Sequence, residues 1–265
     1  MYHKTGNRPD APAGRQTAMT APPVPERAML LAAGLGTRMQ PLTFTTPKPL
    51  VCVDGRCLMN RALDSLEKAG VKTVVINVHH LAQQICDHVA NQRRQRSLEL
   101  IISDERKELL DSAGGVIKAL PSLGEKPFFI LNSDTFWQDA QESNLLRLAQ
   151  HFDAQTMDML LLTVSRQQAG GHQRGDFVAD SKGGLKRAQA DAADAVIYAG
   201  ALMINPAVFA GASPGPVSLN AFFDRAIHRR RLFGLALEGQ WYTVGTPDSL
   251  RAVEMRLQQQ RAGQP

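Results

Sequence analysis

Short, continuous apolar runs alternate along the chain with longer stretches whose apolar residues recur at helical spacing. The runs at 28–33, 71–78 (VKTVVINV), 98–103 and 127–131 (PFFIL) predict strands. Their unbroken apolarity is the mark of strands buried on both faces. Helical spacing covers 58–69, stopping at Gly70 in a C-cap position, then 81–92 and 113–120, where Pro121 should break the helix. Strand-helix alternation of this length predicts an α/β fold, a Rossmann-like, mostly parallel twisted sheet flanked by helices. Ligands of such sheets sit beyond the carboxyl ends of the strands. Gly34 follows the first run and Asp134 the fourth, so the two should meet in space from a hundred residues apart.

The second half continues with a helix at 145–151 and strands at 157–164 and 196–204. Between those strands, 170–193 is polar and glycine-rich and should hold a hairpin turning at Gly183-Gly184. A helix at 219–230 and short strands at 232–237 and 241–244 follow, and Pro247 opens the last helix. No composition break marks a second domain. Residues 1–27 read as a flexible tail, 28–256 as the working domain and 257–265 as a frayed end.

Composition narrows the partners. Of 265 residues, 43% are hydrophobic, enough for a sizeable core. The net charge of +5 is modest and scattered. It suits an anionic small molecule better than a nucleic acid. Arg93, Arg94, Arg96 and the run 229–231 read as solvated helix ends or loops. Three cysteines give no disulfide framework. Cys52, Cys57, His79 and His80 lack the paired spacing of a zinc site, so reduced thiols and a cytoplasmic location are expected. No stretch approaches the ~20 apolar residues of a membrane span, and no membrane partner is expected.

The chemistry concentrates in LLAAGLGTRMQPLTFTTPKPL, residues 30–50. A dinucleotide fingerprint needs glycine where Met39 stands, and a P-loop needs its second glycine at that same position. Both fail. What is left is a loop whose glycines let backbone N–H groups approach anionic oxygens. Arg38 adds a forked cation suited to phosphate, and Lys48 a point charge stiffened by Pro47 and Pro49. The same residues also suit an ordinary strand-to-helix loop with incidental basic side chains.

This loop resembles the signature of the sugar-1-phosphate nucleotidyltransferases, and the resemblance extends over most of 28–256. LLDSAGGV (109–116) resembles that family's second loop, and NSD (132–134) its metal motif. QRGDF (173–177), YAGALMINPAVF (198–209) and WYTVGTPDSL (241–250) resemble later motifs of the N-acetylmuramate-α-1-phosphate uridylyltransferase branch, whose relatives include mannose-1-phosphate guanylyltransferases.

The resemblance implies that a sugar 1-phosphate attacks the α-phosphorus of a nucleoside triphosphate in line and pyrophosphate leaves. Leu31, Ala32, Ala33, Gly34, Gly36 and Thr37 would hold the nucleotide, Arg38 the leaving phosphates and Lys48 the α-phosphate. Gly114 and Gly115 would approach the nucleobase, where a side chain would clash. Asp134 would coordinate Mg²⁺; without the resemblance it reads equally as a capping carboxylate. Arg174, Asp176, Asn205 and Trp241 would serve the sugar phosphate, with Trp241 as the pocket floor; a polar hairpin end is the other reading of Arg174 and Asp176.

Three positions depart from the family pattern. Ala113 replaces a glycine, Asp111-Ser112 are conservative changes, and Thr243 stands where a second metal-binding Asp is usual. UTP and N-acetylmuramate α-1-phosphate are the expected substrates. Guanylyl transfer to mannose 1-phosphate is the alternative, and a weakly catalytic nucleotide-sugar-binding regulatory protein the alternative from another class.

Overall fold

A computed structural model of the protein describes Met1 and residues 24–170, 174–190 and 192–263. Most of the expected N-terminal tail, and Gln173 of the QRGDF motif, lie outside the described residues.

The first half alternates as the apolar pattern predicts. β1 (Arg27–Leu31) leads through a long loop to a small hairpin, β2 (Cys52–Val53) and β3 (Arg56–Cys57). Then come α1 (Leu58–Ala69), β4 (Thr73–Val78), α2 (Ala82–Arg93), β5 (Glu99–Asp104), α3 (Asp111–Leu123) and β6 (Phe128–Asn132). α1 matches its predicted bounds because its signals agree: Leu58, Met59, Ala62, Leu63 and Leu66 form one buried stripe, and Gly70 closes the helix at φ +92°. Pro121 does not end α3, which runs on to Leu123. The proline lies in the last turn, where one missing N–H leaves a single carbonyl unpaired, and Leu123 is buried in the core.

The second half contains β7 (Thr135–Asp139), α4 (Asn144–His151), β8 (Met159–Ser165), β9 (Phe177–Ala179), β10 (Leu185–Arg187), β11 (Val196–Ile204), α5 (Leu219–His228), β12 (Leu232–Ala236), β13 (Gly239–Thr243) and α6 (Pro247–Ala262). β7, which the apolar pattern does not predict, pairs with β13 in a separate ribbon. α6 continues past the expected frayed end: Leu257 is buried, and the Tyr242 hydroxyl donates to Gln260 Oε1 at 3.0 Å.

Among the described residues the main sheet has nine strands, with the path β10-β9-β11-β6-β1-β4-β5 and with β8 pairing β11 and β12. β5, β4, β1 and β6 are mutually parallel, and β11 is antiparallel to β6. The chain moves outward from β1 through β4 to β5, then returns to place β6 on the other side of β1. The order therefore reverses at β1, and a crevice opens at the carboxyl ends of β4, β1 and β6.

Two cores cover the sheet faces, one built with α1, α2 and α4 and the other with α3 and α5. A third, smaller core joins Met39, Val51, Leu58, Phe136, Tyr242, Val244 and Leu257. It fixes the loop after β1 against the β7–β13 ribbon and α6. Among the described residues, no helix is long and apolar enough to cross a membrane.

Candidate active site

A cleft of about 560 Å³ lies at the carboxyl ends of the parallel strands. The loop after β1 forms one wall and is tied to both neighbouring strands. The Ala32 N–H donates to Asn77 Oδ1 on β4 at 2.7 Å, and Ser133 Oγ beyond β6 donates to the Leu31 carbonyl at 2.7 Å.

The two loop glycines do different things. A Cβ at Gly34 would meet no protein atom within 4 Å, so the missing side chain leaves space in the cleft itself. Gly36 has φ +64°, and a Cβ there would come within 2.9 Å of Thr43 Cγ2 and 3.3 Å of Lys48 Cβ. It is glycine because the turn is left-handed and Lys48 packs against it. Met39, which spoils both phosphate fingerprints, is fully buried and anchors the loop in the third core. Leu31, Ala32, Ala33, Gly34, Gly36, Thr37 and Arg38 all line the cleft. Arg38 is exposed at its mouth.

Lys48 begins a 3-10 turn, Lys48–Leu50, held by Leu50 N–H on the Pro47 carbonyl at 2.8 Å. Pro49 is buried, so the turn is fixed from beneath. Lys48 Nζ reaches Asp134 Oδ2 at 2.8 Å, and the side chains are 12% and 30% exposed. The sequence positions 48 and 134 thus meet as an ion pair inside the cleft.

Position 243 is brought to the same place. Thr243 is the cross-strand partner of Thr135, and the Val244 N–H donates to the Asp134 carbonyl at 2.9 Å. The neutral Thr243 is thus held beside Asp134 by backbone pairing, outside the cleft lining. Among the described residues, no group of three or more His, Cys, Asp or Glu is arranged to hold a metal. The donor set fits a hard divalent cation only if phosphate oxygens and water supply most of its shell, as Mg²⁺ tolerates.

Several expected site residues lie elsewhere. Gly114 and Gly115 sit in the first turns of α3, where an added Cβ would strike the protein: Gly215 O at 2.3 Å for Gly114, Glu105 Oε1 at 2.6 Å and Asn77 Nδ2 at 2.7 Å for Gly115. Leu109, Asp111 and Ser112 present that wall instead. Asn205 is corrected outright. It follows β11, which runs against β6, so it lies at the far end of the sheet and accepts the Ala207 N–H as a cap at 3.0 Å. Trp241 is core rather than pocket floor: it is 4% exposed and its indole N–H donates to the Ala199 carbonyl at 2.9 Å. Arg174 and Asp176 are exposed outside the cleft lining. Asp176 accepts the Tyr198 N–H at 2.9 Å.

His79 and His80 anchor loops. Their ring nitrogens donate to the Glu105 and Thr43 carbonyls at 2.7 and 2.8 Å. Asn77 is a cleft residue that motif reading passes over, although a lone amide inside VVINV is itself a signal. Tyr198 is a second. Its hydroxyl is buried without a partner, and burial together with the Asp134 charge pushes the phenol upward.

The sequence profile of the nucleotidyl transferase family matches residues 27–260, so the chain belongs to that family. It is 37% identical over 235 residues to the N-acetylmuramate alpha-1-phosphate uridylyltransferase of Caulobacter vibrioides, covering 88% of this chain and 97% of that one. It is 29% identical over 227 residues to the mannose-1-phosphate guanylyltransferase catalytic subunit beta of Drosophila melanogaster, covering 83% of this chain and 60% of the relative. The inositol-1-phosphate CTP transferase of T. maritima superposes with a TM-score of 0.71 at 19% identity, over 88% of this chain and 96% of that chain. This last likeness shows the fold. The enzyme class expected from the sequence therefore holds.

Proposed function

We propose that the chain transfers a uridylyl group from UTP to N-acetylmuramate α-1-phosphate, releasing pyrophosphate. The observation that carries nucleotidyl transfer is the Lys48–Asp134 pair at the base of a glycine-walled cleft. The similarity to the Caulobacter vibrioides uridylyltransferase over nearly its whole length supports this base and this sugar.

In this reading the triphosphate lies along the loop from Leu31 to Arg38. Arg38, a permanent cation at the mouth, holds the β- and γ-phosphates as charge builds on the leaving pyrophosphate. An oxygen of the sugar phosphate attacks the α-phosphorus from the opposite side, and the bond to the bridging oxygen breaks. Lys48 holds the α-phosphate and neutralises charge on its equatorial oxygens. Its Cβ packs close to Gly36 and the buried Pro49 fixes the turn that carries it, so little motion has to be frozen at the moment of transfer. Asp134 would hold Mg²⁺, which when bound neutralises phosphate charge. Arg174 and Asp176 face the sugar side in this reading and need a shift toward the cleft to touch it.

Guanylyl transfer to mannose 1-phosphate is the second reading, favoured by the Drosophila melanogaster similarity. Pyrophosphate release with UTP or GTP and each sugar phosphate separates the two. Triphosphate binding without pyrophosphate from any pair would point to a regulatory binding protein, consistent with Thr243.

A further inference from the structure

Glu105 follows β5 and is 1% exposed. A buried acid normally sits against an arginine or lysine. Here both oxygens are met by uncharged donors: Oε1 accepts from Asn77 Nδ2 at 2.8 Å, and Oε2 from the Leu110 N–H at 3.3 Å. Each contact leads to a different wall of the cleft. Asn77 passes the restraint to the Ala32 N–H at 2.7 Å, at the start of the glycine loop. Leu110 lies between Leu109 and Asp111-Ser112, which line the facing wall.

Gly115 shows how closely this junction is packed. Any Cβ there would lie within 2.6 Å of Glu105 Oε1 and 2.7 Å of Asn77 Nδ2. The helix yields its side chain so that carboxyl and amide can meet. Glu105 also receives His79 on its backbone carbonyl at 2.7 Å and donates its own N–H to Val78 at 2.8 Å, so its main chain is fixed independently of its side chain. The side chain is thus free to serve the cleft rather than the strand end.

We infer that Glu105 is a positioning residue for the nucleotide: one buried carboxyl sets the spacing between the two walls of the cleft. This rests on the reading that the cleft holds the triphosphate. A role in spacing acts on nucleotide affinity before it acts on chemistry, and it leaves sugar-phosphate binding largely unaffected.

The test is Glu105→Gln, which keeps the size but sets a donor against one of two existing donors. Calorimetric titration without the acceptor uses UTP or GTP, whichever the wild type binds more tightly. The dissociation constant should rise about ten-fold or more as the two walls lose their common spacer. The KM for sugar phosphate should stay within about two-fold and the melting temperature within a few degrees. Gly115→Ala, which pushes on the same junction without changing its polar groups, should move nucleotide affinity in the same direction, and it carries the test alone if Glu105→Gln does not fold. Wild-type nucleotide affinity in the folded variants overturns the inference. So does a parallel rise in both substrate constants that tracks lost stability. If the wild type binds neither triphosphate, the reading of the cleft falls first, and the inference with it.

Discussion

Replacing Lys48 by methionine keeps most of the stem and removes the charge. The folded protein loses an ion pair of 2.8 Å whose lysine is 12% exposed and whose aspartate is 30% exposed. Because water reaches Asp134, its unpaired carboxylate is partly rehydrated, and the stability cost lies near the lower end for charged hydrogen bonds, about 1–2 kcal/mol. At about 2–4 °C per kcal/mol for a chain of this size, melting should fall by roughly 2–8 °C. A domain with about 5–15 kcal/mol of stability then stays almost wholly folded at 25 °C. Turnover should fall much further. Losing a preorganised charge aimed at the transferring phosphorus costs about 10²–10³ in kcat, or about 2.7–4 kcal/mol. Pyrophosphate release at saturating substrates, read beside thermal melting, separates the two effects. A kcat within a few-fold of wild type, or a loss no larger than the unfolded fraction, would remove Lys48 from the mechanism.

Other perturbations test the placement of neighbouring residues. Gly36→Ala puts a side chain into a left-handed turn and within 2.9 Å of Thr43, which should cost about 1–2 kcal/mol in melting experiments and lower kcat by displacing Lys48. Unchanged kcat would break the link between that glycine and the lysine. Asn205→Ala should cost about 1 kcal/mol through its lost cap while the KM for sugar phosphate stays put, whereas a raised KM would return Asn205 to the site. Thr243→Asp should let the protein bind Mn²⁺ without nucleotide, seen as loss of the free-ion signal in electron paramagnetic resonance. No binding there would mean that position 243 does not face the metal.

Much of this could be read from the chain, for reasons that particular residues make plain. α1 was legible because its apolar stripe, its length and Gly70 point to one answer. The meeting of the Gly34 loop with Asp134 followed from parallel strand direction alone. β7 was hidden because Thr135–Asp139 is short and half polar, and it makes sense only beside β13. Gly114 and Gly115 look like ligand-facing glycines in sequence, but tertiary packing against Gly215 and Glu105 uses them. Asn205 was misplaced because no local pattern reveals that β11 runs against β6. Motif reading thus picked out Lys48 and Asp134, which the fold pairs in the cleft, and placed Asn205 and Trp241 where strand direction and core packing do not.

The most direct measurement offers UTP, GTP, CTP, ATP and dTTP in all pairings with N-acetylmuramate α-1-phosphate, mannose 1-phosphate and glucose 1-phosphate, in the presence of Mg²⁺, and follows pyrophosphate. UTP with N-acetylmuramate α-1-phosphate should turn over fastest. A faster GTP and mannose 1-phosphate pair would overturn the substrate assignment, and silence from every pair would contradict nucleotidyl transfer by this cleft.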